Sequence, residues 1–221
     1  MSNASRKILV SDFDGTMTQH DFYRLAIAEL IPADTPYYWG DYREGKITHH
    51  EALRRYFASI RKSEDEIVRV VERMELDPRL AESVAALRAA GWEISVASAG
   101  CAWYIRRHLA AAGVELEVHS NPGHYEAGRG LVMDLPLDSE YYSPNLGVDK
   151  TAIVRRQLEA GNLVAFAGDG FPDVDPARLV PAELRFARGD LAEVLRSEGL
   201  EFQPYQTWSE IATRLLQEFG H

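Results

Sequence analysis

Five short apolar runs punctuate the chain: KILVS (7–11), WEISVAS (92–98), VELEV (114–118), LVAFAG (163–168) and ELRFA (183–187). Each has the length of a strand, and the intervening stretches repeat their apolar residues at helical spacing. In DPRLAESVAALRAAG (77–91) both helix ends are readable: Asp77 is the expected N-cap, Pro78 the first helical residue and Gly91 the residue just past the end. Alternating strands and helices predict an α/β fold, a doubly wound parallel sheet with helices on its faces.

Two stretches break the alternation. From residue 21 to 75 no strand is predicted, while THHEALRRYFASIR and SEDEIVRVVERM each open with Ser/Thr-x-x-Glu, which predicts capping boxes at Thr48/Glu51 and Ser63/Glu66. A small helical cap inserted after the first strand is therefore expected, with residues 19–77 forming the cap and residues 1–18 and 78–221 the α/β core. A weaker insertion, HSNPGHYEAGRGLVMDLPLDSEYYSPNLG (119–147), reads as a hairpin and loop.

Composition narrows the possibilities. A chain of 221 residues that is 46% hydrophobic holds one sizeable core and a smaller appended unit. The formal charge of −10 argues against a nucleic-acid partner, so a small anionic substrate needs local cations. The single cysteine, Cys101, excludes an intrachain disulfide framework or a Cys-rich zinc site and fits a reducing compartment. No window reaches the roughly 18 to 20 apolar residues of a membrane span, and the start lacks the plan of a signal peptide. A cytoplasmic protein with no membrane partner is expected. The opening MSNAS reads as partly a cloning remnant and is set aside; oligomeric state has no sequence signal.

Ligands of doubly wound sheets bind beyond the carboxyl ends of the strands, so the residues leaving each run are the candidates for chemistry. The first run leads into Asp12 and Asp14, the second into Ser98-Ala99-Gly100, and the fourth into Gly168-Asp169-Gly170 and then Asp173. Carboxylates brought together repel one another unless a cation sits among them. An all-oxygen ligand set suits Mg²⁺, which is commonly shared with a phosphate oxygen. With no Walker-type loop, a phosphate would be held by the hydroxyls of Thr16 and Ser98 and by the N–H groups of Ala99 and Gly100, expected at a helix start. Lys150, opening the helix DKTAIVRRQLEAG, can supply the missing cation.

The set DFDGT (12–16), Ser98 after a strand, Lys150 before a helix and GDGFPD (168–173) resembles the haloacid dehalogenase-like superfamily, in its aspartate-nucleophile phosphatase branch, over nearly the whole chain. The resemblance implies a Rossmann-like core with a cap in the first insertion position, as in phosphoserine phosphatases. It implies that Asp12 is a nucleophile forming an aspartyl-phosphate and that Asp14 is an acid that protonates the leaving alcohol and then activates water. Thr16 and Ser98 would bind phosphoryl oxygens, with Lys150 countering charge. Mg²⁺ would be held by the Asp12 carboxylate, the Asp14 backbone carbonyl and Asp169, with Asp173 orienting that shell. FARGDLAEVLRSEGLEFQPYQTWSEI (186–211) is similar to the methionine-salvage phosphatases of 2-hydroxy-3-keto-5-methylthiopentenyl-1-phosphate. Two positions depart from the pattern: Ala99 stands where many relatives carry glycine, and Pro172, where phosphoserine phosphatases usually have asparagine, counts against phosphoserine.

Competing readings attach to several residues. Cys101 could be a thiolate nucleophile but reads better as a packing residue, and His119 and His124 read as surface groups rather than metal ligands. Tyr37, Tyr38 and Trp39 could wall the substrate's leaving group or box a choline-like head, although packing of cap on core is favoured. His20 and Asp21 are better placed to meet substrate, and Asp21 is equally an N-cap. The expected activity is Mg²⁺-dependent hydrolysis of a small phosphorylated metabolite. Its alternatives are a phosphoserine or phosphocholine-like substrate, transfer to an acceptor alcohol, a non-catalytic phosphate-ligand binding protein and a phospho-accepting regulatory domain.

Overall fold

A computed structural model of the chain describes residues 5–220; residues 1–4, which hold most of the segment set aside above, and residue 221 lie outside the described residues. The chain runs β1 (Lys7–Ser11), α1 (Phe22–Glu29), α2 (Tyr38–Arg43), α3 (His49–Ala58), α4 (Glu64–Glu72), α5 (Leu80–Ala89), β2 (Trp92–Cys101), α6 (Ala102–Ala111), β3 (Glu117–Asn121), β4 (Gly123–Glu126), β5 (Gly130–Met133), β6 (Tyr142–Ser143), β7 (Gly147–Val148), α7 (Lys150–Glu159), β8 (Leu163–Gly168), α8 (Val174–Leu179), β9 (Arg185–Ala187), α9 (Gly189–Ser197), β10 (Gln203–Pro204) and α10 (Trp208–Phe219). Six strands form one sheet in the order β10-β9-β8-β1-β2-β3, every pair parallel. From β1 the chain winds to β2 on one side and later to β8 on the other, so the direction of winding reverses between β1 and β8. That switch point opens a crevice at the carboxyl ends of the two strands.

Period-two alternation in β1 explains the layering. Leu9 faces one apolar cluster together with residues of α5, α6 and α10, while Ile8 and Val10 face a second one with residues of α7, α8 and α9. Buried on both faces, the central strands carry continuous apolar runs, as a parallel sheet requires.

Several sequence boundaries move, each for a local reason. The third strand starts at Glu117, because Gly113 takes a φ of 67° and the Val114 N–H closes α6 onto the Leu109 carbonyl at 2.9 Å. Residues 183 and 184 belong to a 3₁₀ turn, so that strand starts at Arg185. Helix α5 starts at Leu80 rather than Pro78. The carboxylate of Asp77 accepts from the Arg79 N–H at 2.8 Å and, with its second oxygen, from the Ser209 N–H of α10 at 2.7 Å. Of the two capping boxes, Ser63/Glu66 is complete; Thr48 caps the Glu51 N–H, but the Glu51 carboxylate turns to Arg54 and Arg55.

Helices α1 to α4 occupy the first part of the segment between β1 and β2, ahead of α5, and the β4–β5 hairpin packs against α3. Phe22, Phe57, Ile60 and Ile67 share one cluster with Phe13, Met17, Leu131 and Met133, so the cap's apolar interior is continuous with the core. Asn145, in the β6–β7 turn, accepts from the His49 N–H through its side chain at 3.0 Å and from the His50 N–H through its carbonyl at 2.8 Å. The second insertion thus satisfies donors at the start of α3.

Trp208 locks α10 to the sheet: it is wholly buried and its indole N–H donates to Ser11 Oγ at 3.0 Å. Trp208→Ala should lower the unfolding free energy by about 3–5 kcal/mol, measured by urea denaturation.

Candidate active site

The turn after β1 is held from several directions. The Asp12 N–H continues the ladder to the Ala167 carbonyl at 2.8 Å, and the N–H groups of Thr16, Met17 and Thr18 converge on the Phe13 carbonyl. Gly15 has a φ of 68°, and a Cβ there would collide with the Asp169 carboxylate, so both the turn and the close approach demand glycine. From the opposite side, the Arg188 guanidinium donates to the carbonyls of Gly15, Thr18 and Gln206, each at 2.6 Å.

Lys150 begins α7, whose N-cap Asp149 accepts from the Ala152 N–H at 2.8 Å. Its ammonium is buried and lies 2.9 Å from Asp12 Oδ1 and 2.7 Å from Asp173 Oδ1. The second Asp173 oxygen accepts from the N–H groups of Asp169 and Gly170 at 3.1 and 3.0 Å. Oxygens of Asp12, Asp169 and Asp173 all lie within 4.8 Å of one another. Burial disfavours the Lys150 charge, but Asp12 and Asp173 outweigh it and hold the pKa above the ordinary lysine value. Burial and the neighbouring Asp173 carboxylate push Asp12 well above the usual carboxylate range, and the same two causes raise Asp169 to about 7. Three close carboxylates facing one ammonium are short of positive charge. This all-oxygen set fits a hard divalent cation.

Asp14 occupies a different environment. Its Oδ2 accepts from Ser98 Oγ at 3.2 Å and from the Tyr104 hydroxyl at 3.0 Å, and its Oδ1 accepts from the Phe22 N–H at 3.3 Å. Burial, then the Asp21 charge, raise its pKa to about 7, against the pull of these hydrogen bonds. A carboxyl group tuned to this value can give up a proton and take it back near neutral pH.

The remaining candidates divide. Asp12, Asp14, Ser98, Ala99, Gly100, Lys150, Asp169 and Asp173 line one cavity of about 860 Å³, and Asp21, Tyr37 and Trp39 face it from the cap. Asp21 is also the N-cap of α1. Ala99 and Gly100 are not at a helix start: β2 runs on to Cys101, and the Gly100 N–H is taken by Ser98 Oγ at 3.0 Å. Thr16 is buried outside the cavity lining, donating to Asp169 at 3.1 Å. His20 lies 3.8 Å from Glu75 and is absent from the lining, as is Tyr38, which packs edge-on against Tyr56. Cys101 is buried and its thiol is pushed up to about 12 by that burial, as a packing residue should be. His119 packs edge-on to Tyr141, and His124 lies 4.0 Å from Glu126. Neither histidine joins the acidic cluster.

Sequence reasoning missed Tyr104, Arg188 and Tyr205. Arg188 follows the end of β9 and Tyr205 the end of β10, so the strand-end rule that found Asp12 applies to both. Tyr205 donates to Thr16 Oγ1 and to the Gly168 carbonyl. Tyr104 is the third residue of α6, between Trp103 and Ile105, without a motif to mark it.

A family model described as haloacid dehalogenase-like hydrolase matches residues 9–178. The chain belongs to that family. Among its relatives, the 2-hydroxy-3-keto-5-methylthiopentenyl-1-phosphate phosphatase of Brevibacillus brevis is 24% identical over 97% of both chains, and the enzyme of the same name from Exiguobacterium sibiricum is 22% identical over 94% of this chain and 95% of its own. A substrate-bound phosphoserine phosphatase structure superposes with a TM-score of 0.63 at 15% identity, covering 97% of this chain and 99% of the other. A hydrolase of the same family from Salmonella enterica serovar Typhi gives 0.66 at 17% identity over 97% of this chain and 72% of its own. Its haloacid dehalogenase-like fold is therefore the one that the strand order describes.

Two outcomes follow from the site's electrostatics. Asp14 and Asp169 have folded pKa values of about 7 against 3.8 for the free side chain. Their contribution to stability is complete below about 3.8 and is lost as pH rises through about 7. Added MgCl₂ should offset that loss, so it should raise Tm more at pH 8 than at pH 5 in thermal melts. Tyr104→Phe removes a hydrogen bond that favours the charged form of Asp14. It should shift the alkaline limb of the pH–rate profile for phosphate-ester hydrolysis upward.

Proposed function

We propose that this chain is a Mg²⁺-dependent phosphatase of a small phosphomonoester, working through an aspartyl-phosphate on Asp12. The observation that carries the reading is the pairing of two unlike carboxyl groups two residues apart. Asp12 is held against the Lys150 ammonium at 2.9 Å inside the acidic cluster, where a bound cation would keep it ionised although burial without one raises its pKa, and Asp14 is hydrogen-bonded instead by Ser98 and Tyr104 with its pKa raised to about 7. Environments that separate two carboxyl groups in this way assign one as nucleophile and the other as acid.

In the proposed reaction an Asp12 oxygen attacks phosphorus, the bond from phosphorus to the ester oxygen breaks, and Asp14 donates its proton to the departing alkoxide. The Asp14 carboxylate then takes a proton from water as that water attacks phosphorus, releasing phosphate and restoring both residues. Asp12, Asp169 and the Asp14 backbone carbonyl would hold the metal, which neutralises phosphoryl charge and orients the group. Asp173 already accepts from Lys150 and from two backbone N–H groups, which supports a positioning role. The Thr16 hydroxyl, donated to Asp169, fits positioning of that carboxylate better than contact with phosphate. Ser98 stays a phosphate ligand in the proposal, exchanging its bond to Asp14 for a phosphoryl oxygen.

The cap residues above the cavity would select the alcohol and exclude bulk water. Relatives named for 2-hydroxy-3-keto-5-methylthiopentenyl-1-phosphate, matching over nearly the full chain, support that compound or a close analogue as substrate. The acidic composition and a cavity of a size for a small ester support a cytoplasmic metabolite rather than a nucleic acid; no helix among the described residues is long and apolar enough to cross a membrane.

Phosphate release from a panel of small phosphomonoesters tests the proposal. Release should require Mg²⁺, stop with EDTA, vanish in Asp12→Asn and fall by about 10²–10⁴-fold in Asp14→Asn. Full turnover by Asp12→Asn would refute the covalent route.

A further inference from the structure

Behind the acidic edge, a tyrosine from the border of the sheet reaches toward Asp169. Tyr205 directly follows the edge strand β10 and is 2% exposed. Its hydroxyl oxygen lies 3.3 Å from Thr16 Oγ1 and 3.1 Å from the Gly168 carbonyl oxygen, and Thr16 Oγ1 lies 3.1 Å from Asp169 Oδ1. Thr16 is itself buried, so the two hydroxyls take their partners from the protein. An oxygen of Asp169 belongs in turn to the cluster with Asp12 and Asp173.

Counting protons fixes the direction of this chain. A hydroxyl has one proton to donate, and an ionised carboxylate only accepts. A carboxylate that holds a divalent cation is ionised, so the Thr16 proton points to Asp169 and Tyr205 is the donor to Thr16. In the reverse arrangement Thr16 donates to Tyr205 and Tyr205 to the Gly168 carbonyl, which leaves Asp169 without the bond. That carbonyl does not need the phenol, because it also accepts from the Arg188 N–H at 3.3 Å. Each hydrogen bond in a chain polarises the next, and bonds that end on a charge are the strong ones. The phenol is also held in place. The Arg188 guanidinium lies over its ring at 5.3 Å and donates to the carbonyls of Gly15 and Thr18 on one side and of Gln206 on the other. Arg188 thus ties the turn that carries Thr16 to the residue next to Tyr205.

We propose that Tyr205 is a positioning residue of the metal site, holding the Thr16 hydroxyl in the orientation that donates to Asp169 and so raising the affinity of the free protein for Mg²⁺. Neither Tyr205 nor Thr16 lines the cavity, so the effect reaches the metal only through Asp169. This rests on the Mg²⁺-dependent phosphatase reading above. Partners of metal ligands change metal affinity by about 10–100-fold, and Tyr205, one bond further out, acts at or below the lower end of that range.

The test titrates the full-length, metal-free protein with MgCl₂ alone by isothermal titration calorimetry. Thr16→Val, which keeps the shape and removes the hydroxyl, should raise the Mg²⁺ Kd by about tenfold. Tyr205→Phe should raise it by about threefold or more, and the double variant should stay within about twofold of Thr16→Val, because Tyr205 acts through Thr16. At saturating Mg²⁺ the kcat of Tyr205→Phe on a chromogenic aryl phosphate should return to within about threefold of wild type, which a general loosening of the fold would not allow. Circular dichroism with Tm verifies the fold of each variant. An unchanged Kd in Tyr205→Phe, a double variant in which the two effects multiply, or a kcat that saturating Mg²⁺ does not restore overturns the proposal and leaves the phosphatase reading intact. Phosphate release by wild type without measurable binding of Mg²⁺ alone has the same meaning. A wild type that neither binds Mg²⁺ nor releases phosphate refutes that reading and this proposal with it. If Thr16→Val unfolds, the Kd and kcat of Tyr205→Phe decide. If Tyr205→Phe unfolds, Tyr205→Met, an apolar side chain that adapts to irregular space, takes its place under the same thresholds.

Discussion

A single buried ammonium organises the carboxyl edge of this protein. Lys150 sits between Asp12 and Asp173, nearly inaccessible to solvent, and three further contacts depend on that placement. Asp173, neutralised by Lys150 on one oxygen, is free to bind the Asp169 and Gly170 N–H groups with the other, which shapes the loop after β8. That loop sets Asp169 against Gly15, and the contact is tight enough that any side chain at position 15 would displace it. Burying a charge is tolerable only when it is paired and hydrogen-bonded, and here each charge is paired through an element that the fold already needs. The ammonium comes from α7, the carboxylates from the ends of β1 and β8, and the sheet's change of winding direction brings all three together.

The same arithmetic leaves the site incomplete in charge. One cation faces three carboxylates within 4.8 Å, and the pKa values of Asp12 and Asp169 are raised by burial first and by the neighbouring Asp173 carboxylate second. A protein selected only for stability would replace one of these carboxylates with an amide. Retention of all three is a local conflict of the kind that accompanies function, since strained and unsatisfied groups persist where chemistry uses them. Asp14 is hydrogen-bonded outside this cluster, by Tyr104, Ser98 and the start of α1. Two residues of extended chain thus separate a carboxylate held by a cation from a carboxyl group poised to exchange its proton.

The core was legible in the sequence because its signals are local. Apolar runs of strand length, the Asp77 turn and the order of polar residues leaving the strands all survive without knowledge of the fold, and the haloacid dehalogenase-like pattern is written in four such segments. What was not legible depends on distance in space. Tyr104 approaches Asp14 across ninety positions of sequence, and nothing in AWYIRR distinguishes it from a packing tyrosine. The misplacement of Ala99 and Gly100 has the opposite origin: glycine after a strand is a fair sign of a helix start, but β2 runs three residues beyond the expected end, because Ser120 and Asn121 on β3 bond the Gly100 and Ala99 carbonyls. In the cap, Tyr37, Tyr38 and Trp39 form one aromatic run in the sequence. Helical geometry splits them, turning Tyr37 and Trp39 toward the cavity and Tyr38 onto Tyr56.

Cap and core are joined in a way that links substrate choice to catalysis. Asn145 binds the first two backbone N–H groups of α3 and lies only a few residues before α7, the helix that carries Lys150. Asp21 caps α1 while bordering the cavity, and the Phe22 N–H that follows it binds Asp14. The start of α1 thus touches Asp14 through one hydrogen bond, and the start of α3 is tied to the loop that leads into Lys150. Because the apolar interior runs unbroken from Ile67 in the cap to Leu9 in the central strand, a displacement of the cap cannot be a free swing of a separate body. A change in cap position would take the form of a small shift of packed helices, because the contacts that join cap to core are buried side chains and backbone hydrogen bonds.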